Sequence, residues 1–366
     1  MRQVSVCTLA SAFLCLITFN GLARAKSSIA SIENQAGVLY QQGRYAEAFA
    51  AYKKSALKGS PRSQSILGYL YATGRGTEEN PVLAFDWTSK AAEQDDVDAQ
   101  VMLGKMYASG LGTTLDYERA LTWFGKAAQK GNAIAETNLG ILCYRGQGAP
   151  KDSAKAVAWF TRAAEQGYEP AQNNLGTMYL TGAGIATDYT KALEWLTKAA
   201  NQGSTNSEWM LGQMYRNALG VPRDYYQAFR WYSKAAEQKL AVAQADLGAM
   251  YCMGMGTEQD FSKAISLFSK AAAQGFAAAQ SNLGIMYLKG LGVPADEAKA
   301  REWLQRAADQ QNAVAMEWLA SIDRRTASLP RQESPVTFSN IARASTSDNP
   351  DPLHDETLAH RTTNSH

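Results

Sequence analysis

Histidine is missing from the whole span between residues 26 and 323; the three in the chain, His354, His360 and His366, all lie near its C-terminal end. That span therefore lacks the usual general base of Ser–His and Cys–His catalysis and the commonest metal ligand. The late histidines are too sparse for a metal-binding tract. Cysteine is almost as scarce: Cys7 and Cys15 lie in an apolar N-terminal stretch, and only Cys143 and Cys252 follow. There is no zinc-ligand spacing, no P-loop and no dinucleotide fingerprint. After residue 25 no apolar run is long enough to span a bilayer. Excess charge is also lacking. The formal +2 comes from Arg2 and Arg24, and the remainder carries 34 basic and 34 acidic side chains. A balanced surface has no electrostatic footprint for nucleic acid or an anionic membrane. These absences assign no catalytic, cofactor-binding or metal-binding residue, and no cofactor is expected.

The N-terminus has the three parts of a signal peptide: the basic Arg2, the uncharged and mostly apolar stretch Val4 to Phe19, and the small-x-small site Ala23-Arg24-Ala25. Cleavage there removes residues 1–25 and starts the mature chain near Lys26. The apolar stretch is shorter than the roughly 20 residues of a membrane span, and Ala-Phe-Leu before Cys15 is a poor lipoprotein signature. A periplasmic or secreted location is expected.

What is present in quantity is repetition. Leu-Gly recurs at Leu67, Leu103, Leu139, Leu175, Leu211, Leu247 and Leu283, each step 36 residues. A tyrosine follows four residues later in every copy but one, where Cys143 stands. Paired alanines recur from Ala91-Ala92 to Ala307-Ala308, and a tryptophan precedes most pairs by four residues (Trp87, Trp123, Trp159, Trp195, Trp231, Trp303). Fixed-period similarity of this kind marks a repeat architecture.

Each mark has a physical reading. Met102, Leu103, Met106 and Tyr107 have helical spacing, and Gly110-Leu111-Gly112 breaks that helix. Gly104 lies inside it, at a cost of about 1 kcal/mol against alanine, which points to close approach by a second helix. Asp116, Asp152, Asp188, Asp224, Asp260 and Asp296 each precede a second helix and are N-cap candidates. Clustered oxygen ligands are missing, so they do not form calcium sites. Tryptophan fills the wedge between units, and a glycine usually ends the second helix, with Asp95, Lys239 and Gln311 as departures. The methionine stripe Met106, Met178, Met214, Met250 and Met286, with Leu70 and Leu142, is packing. Cys143 takes the place of a core tyrosine and reads as a buried thiol; Cys252, one position further on, is a candidate to face a groove. The two stand three units apart, beyond the roughly 7 Å Cα limit of a disulfide.

These residues resemble the Sel-1-like repeat family, a relative of the tetratricopeptide repeat with a longer, glycine-bearing loop. The resemblance runs from about Ser63 to Asp323. It implies an all-α fold, a right-handed α-α superhelical solenoid of helix-turn-helix repeats. The expected organisation is a signal peptide (1–25), a tetratricopeptide-like capping repeat (26–62), seven Sel-1-like repeats (63–314), a capping helix (315–323) and a disordered tail (324–366). The tail is rich in Ser, Thr, Pro and Asp and too poor in apolar residues to offset ordering entropy.

In related repeats the first helices line the concave face. Positions two before, two after and five after the leucine then point inward. They name Tyr69, Val101, Lys105, Ile141, Tyr144, Thr177, Leu180, Trp209, Gln213, Arg216, Cys252, Ile285 and Leu288. These vary from copy to copy while the packing positions repeat, and Trp, Tyr and Arg are the types that anchor interfaces. The bland alternative is that some of them pack between first helices. The family implies a non-catalytic scaffold or adaptor outside the cytoplasm, binding another protein or peptide, in envelope regulation, polysaccharide export, host interaction or virulence. A eukaryotic lumenal quality-control adaptor is one alternative. A β-lactam-binding or hydrolysing enzyme is the other, but the members credited with that activity carry a cysteine pair in each repeat, and this chain does not.

Overall fold

The structure, a computed structural model, describes residues 28–327. The stretch read as a signal peptide (1–25) and the part beyond 327 of the segment read as a tail lie outside the described residues. Every regular element among the described residues is helical. Contacts divide the chain at Ala163 into two units. The first holds α1 (28–41), α2 (Tyr45–Ala56), α3 (Pro61–Thr73), α4 (Pro81–Glu93), α5 (Val97–Ser109), α6 (Tyr117–Gln129), α7 (Ala133–Arg145) and most of α8 (Ser153–Glu165). The second holds α9 (Glu169–Thr181), α10 (Tyr189–Asn201), α11 (Thr205–Asn217), α12 (Tyr225–Glu237), α13 (Ala241–Met253), α14 (Phe261–Ala273), α15 (Ala277–Lys289), α16 (Glu297–Ala308) and α17 (Ala313–Ala327). In each unit an odd-numbered helix is followed by an even-numbered one that folds back on it. The fold is all-α, built from repeated helix-turn-helix pairs of the solenoid class.

Local chemistry sets the helix ends. The Asp116, Asp152, Asp188, Asp224, Asp260 and Asp296 carboxylates each accept from the backbone N–H three residues on, at 2.9–3.0 Å. They are N-caps, as their register suggests. Each aspartate's own N–H donates to the carbonyl of the aromatic position on the preceding helix, as Asp116 does to Tyr107 at 2.9 Å, which closes the loop. At the other end, α3, α5, α7, α9, α13 and α15 stop at a left-handed glycine.

In α11 that place belongs to Ala218, held at φ 58° and exposed. An L-residue with a Cβ pays about 1–2 kcal/mol in that conformation, more than glycine loses in unfolded-state freedom. Ala218→Gly should therefore stabilise the protein by about 0.5–1 kcal/mol and raise the thermal midpoint by about 1–3 °C. A lower midpoint would show that Ala218 is not strained. Asp95, Lys239 and Gln311, the departures at the ends of even helices, are left-handed as well, with φ of 69°, 67° and 63°. The turn keeps its backbone where glycine is missing.

Packing follows the repeat. Leu67, Leu103, Leu139, Leu175, Leu211, Leu247 and Leu283 are buried, as are the methionine stripe and nearly every paired alanine. A Cβ on Gly104 would stand 2.6 Å from the Phe124 ring, so the glycine does admit the second helix. The tryptophans are half-buried between repeats. Trp231 packs on a cluster with Leu196 and Ala200 of the preceding repeat, and Trp303 on one with Phe268 and Ala271. A cation three residues on covers most of their outer faces, as Lys126 covers Trp123 at 3.8 Å and Lys198 covers Trp195 at 3.9 Å.

A polar ladder reinforces these seams. Gln100, Gln172, Gln244 and Gln280 each donate to a carbonyl near the end of the preceding even helix. Gln94, Gln202, Gln274 and Gln310 donate in turn to Gln64, Gln172, Gln244 and Gln280 at 2.6–2.9 Å. Each such bond contributes about 1 kcal/mol net; the bonds to carbonyls tie one repeat to the one before it, and the Gln–Gln bonds brace the two helices of a single repeat.

The two ends differ from the middle. The exposed face of α1 is Ser28, Ala30, Ser31, Asn34, Gln35, Val38 and Gln41. That is mostly polar, as a solenoid's first helix must be. At the other end α17 runs from Ala313 to Ala327. It thus takes in residues 324–327, which composition alone placed in the tail. The helix continues because Ile322 is buried against Leu304, Ala307 and Ala315.

Candidate protein-binding face

The positions read as inward-facing fall on the odd helices, and the structure sorts them by burial. In the first unit Tyr69 is exposed and Lys105 and Tyr144 are half-buried, while Val101 and Ile141 are buried. In the second unit Leu180, Trp209, Gln213, Arg216 and Leu288 are half-buried, while Thr177, Cys252 and Ile285 are buried. Ile141, 4% exposed, and Ile285, 2% exposed, are thus corrected from partner contacts to core. Consecutive odd helices approach closely enough for these side chains to fill the seam. Thr177 on α9 meets the Met210 sulfur on α11 at 3.2 Å, and Ser207 on α11 donates to Asn173 on α9 at 2.8 Å.

The half-buried set on α11 is fixed from within. Trp209, Gln213 and Arg216 stand four and three residues apart along one face of the helix. The Trp209 indole N–H donates to Asp246 Oδ2 on α13 at 2.8 Å, and Arg216 Nη1 donates to Asp246 Oδ1 at 3.2 Å. The Asp246 side chain is fully buried and that of Arg216 is 12% exposed. Tyr232 on α12 is buried beside them. Burial pushes its hydroxyl far up, and the Asp246 charge adds to that, so the phenol stays neutral. Burial works to lower the Arg216 pKa, yet Tyr232 and Asp246 hold it above its ordinary value. A tryptophan, an aspartate and an arginine thereby lock α11 to α13.

Sequence reasoning singled out Trp209 and Arg216 but missed Asp246 and Tyr232. A signal was there. Tyr232 stands where other repeats have Phe124, Phe160, Leu196, Phe268 and Leu304, and Asp246 where others have Asn138, Asn174 and Asn282. Two departures at packing positions, 30 residues on and 16 on from a lone arginine, mark one buried cluster.

The thiols sit apart from this chemistry. Cys143 and Cys252 are free and buried. Burial raises the Cys143 pKa, only partly opposed by Lys155, and pushes Cys252 up to about 11. Neither is a thiolate near neutrality, and Cys252 does not face a groove. Among the described residues no group of three or more His, Cys, Asp or Glu is placed to hold a metal ion. No helix among them is long and apolar enough to cross a membrane.

Paired helices with a glycine-bearing loop, stacked through alanine, leucine and tryptophan, define a helical-repeat protein of the Sel1-like class. The Sel1 repeat matches seven consecutive stretches: 61–96, 97–132, 133–168, 169–204, 205–240, 241–276 and 277–312. The chain belongs to the Sel1 repeat family. It is similar to a solved protective antigen present in uropathogenic Escherichia coli strains, displaying an SLR fold, with 36% identity over 81% of this chain and a TM-score of 0.71. The match spans 64% of that antigen's length. It is also similar to a Sel1 repeat protein from Oxalobacter formigenes, with 34% identity over 82% of this chain and 90% of the other, and a TM-score of 0.63. No curated protein matches the chain.

Proposed function

We propose that this protein is a non-catalytic scaffold that holds a partner protein or peptide against the faces of its odd helices, outside the cytoplasm. The observation that carries the reading is the set of partly or fully exposed side chains that those helices present at one register place after another. Leu180, Trp209 and Gln213 in the second unit, with Tyr69, Lys105 and Tyr144 in the first, differ from copy to copy while the residues beneath them repeat. A position only partly committed to packing can diverge toward a ligand, and aromatic side chains with polar neighbours are what interface centres use. The antigen among the similar structures supports exposure to a host, and the apolar N-terminus with its small-x-small site supports a periplasmic or secreted location.

The test uses side chains outside the Trp209–Arg216–Asp246 lock: Gln213, and the half-buried Leu180, which keeps part of its surface open while packing on the Leu196 and Met210 cluster. Leu180→Ala with Gln213→Ala should leave the thermal midpoint within a few degrees of the parent. Proximity labelling by the protein in its native cell should then lose its main target by at least about tenfold, as removal of interface anchors does. Undiminished labelling by this folded variant would take the face out of consideration.

A further inference from the structure

The opening repeat carries an arginine out of keeping with the rest. Arg75 follows the left-handed Gly74 in the loop between α3 and α4. The same register place in later repeats holds Leu111, Gln147, Ala183, Leu219, Met255 and Leu291, none of them charged, and the last three pack against core clusters. Arg75 is exposed instead. Its guanidinium carbon stands 6.0, 5.8 and 6.0 Å from the ring centres of Tyr40, Tyr45 and Tyr69. Nη1 donates to the Tyr40 hydroxyl at 2.5 Å, and the Tyr40 and Tyr45 rings meet edge to face at 5.1 Å. Aromatic faces hold this cation where a counter-ion usually would. No carboxylate among the described residues pairs with it. Arg44, beside Tyr45 in the chain, is already committed to Glu47.

We propose that Arg75, framed by Tyr40, Tyr45 and Tyr69, is a receptor for one carboxylate side chain of the bound partner. The inference rests on the scaffold reading and specifies part of the partner's chemistry. A guanidinium has five N–H donors in a planar fork, and Tyr40 takes one of them. The rest are open to a carboxylate, which matches the fork in shape and in charge. Three rings fix the fork beforehand, so little conformational freedom is lost on binding. A single cation suits a single negative charge, whereas phosphate groups are taken by clusters of arginines. Tyr69 belongs to the same series of odd-helix positions as Lys105, so a partner lying along the first unit has the receptor at hand.

The test titrates the whole chain with the peptide acetyl-Leu-Glu-Leu-amide and with its glutamine counterpart, following the Arg75 Nε–Hε signal by NMR. The glutamate peptide should shift that signal saturably and at least about tenfold more tightly than the glutamine peptide, and added salt should weaken it. Arg75→Leu installs the residue that Leu111 has one repeat on. It should keep the fold and abolish the difference between the peptides. Equal response to both peptides, or none, overturns the receptor, as does inorganic phosphate competing better than acetate. Partner labelling that survives Arg75→Leu but fails in the Leu180→Ala, Gln213→Ala variant leaves the scaffold reading standing and removes this receptor alone.

Discussion

Arg216→Leu alone should cost the protein about 3 kcal/mol, and adding Asp246→Met should restore most of it. The first number follows from leaving a buried carboxylate without its cation. Asp246 has no exposed side-chain surface and keeps the Trp209 N–H, but it loses the guanidinium charge that stands 3.2 Å from Oδ1. The second follows from the repeat itself. One repeat earlier, the places of Arg216 and Asp246 hold Leu180 and Met210, an apolar pair in the same packing environment. Replacing a buried ion pair by apolar side chains of similar volume is often neutral or stabilising. The double variant should lose only about 1 kcal/mol, from the Trp209 N–H left without its acceptor. Chemical denaturation of the two single variants and the double gives a coupling energy of about 2 kcal/mol or more. A double variant as unstable as Arg216→Leu would mean that the pair is not what joins α11 to α13. The result bears on function too: Arg216→Ala or Trp209→Ala would disturb the fold and any interface at once, so neither is a clean probe of binding.

The other large effect lies in the loops. Gly256→Ala should destabilise by about 2–4 kcal/mol, but Gly275→Ala by only about 1. Both glycines have positive φ, 68° and 86°, so both alanines meet the left-handed penalty of about 1–2 kcal/mol, less the unfolded-state gain. They differ in what surrounds them. A Cβ on Gly256 would stand 2.1 Å from the Tyr225 carbonyl oxygen, whereas one on Gly275 would meet nothing within 4 Å. Tyr225 begins α12, in the preceding repeat, so the α13–α14 loop rests directly on backbone that cannot step aside. Overpacking adds its own 1–3 kcal/mol or so. Gly256→Ala should also speed hydrogen exchange across α12 to α14, because it prises two repeats apart. Equal losses from the two substitutions would show that the loop does not seat as described.

Much of this was legible in the amino-acid order. Leu103, Gly104, Asp116, Trp123 and Ala127-Ala128 each announced a local or pairwise duty, and seven copies in register left one architecture able to satisfy them. Short-range demands of this type can be read from spacing, because an N-cap, a helix period or a missing Cβ acts within a few residues. The binding face was legible only in outline. Ile141 and Ile285 occupy the same register as Tyr69 and Lys105, and nothing local to them says which will be covered. Exposure there depends on how closely the next odd helix approaches, and its own side chains set that distance.

Repetition by itself determined the helix pairs, their caps, their core leucines and the class of protein. The tertiary structure alone decided that Asp246 reaches back 30 residues to Arg216 and 37 to Trp209, and that Arg75 leans on tyrosines from three separate helices. Those contacts join side chains that share no period, and charge or aromatic pairing across a seam depends on distances in space that the order of residues does not carry.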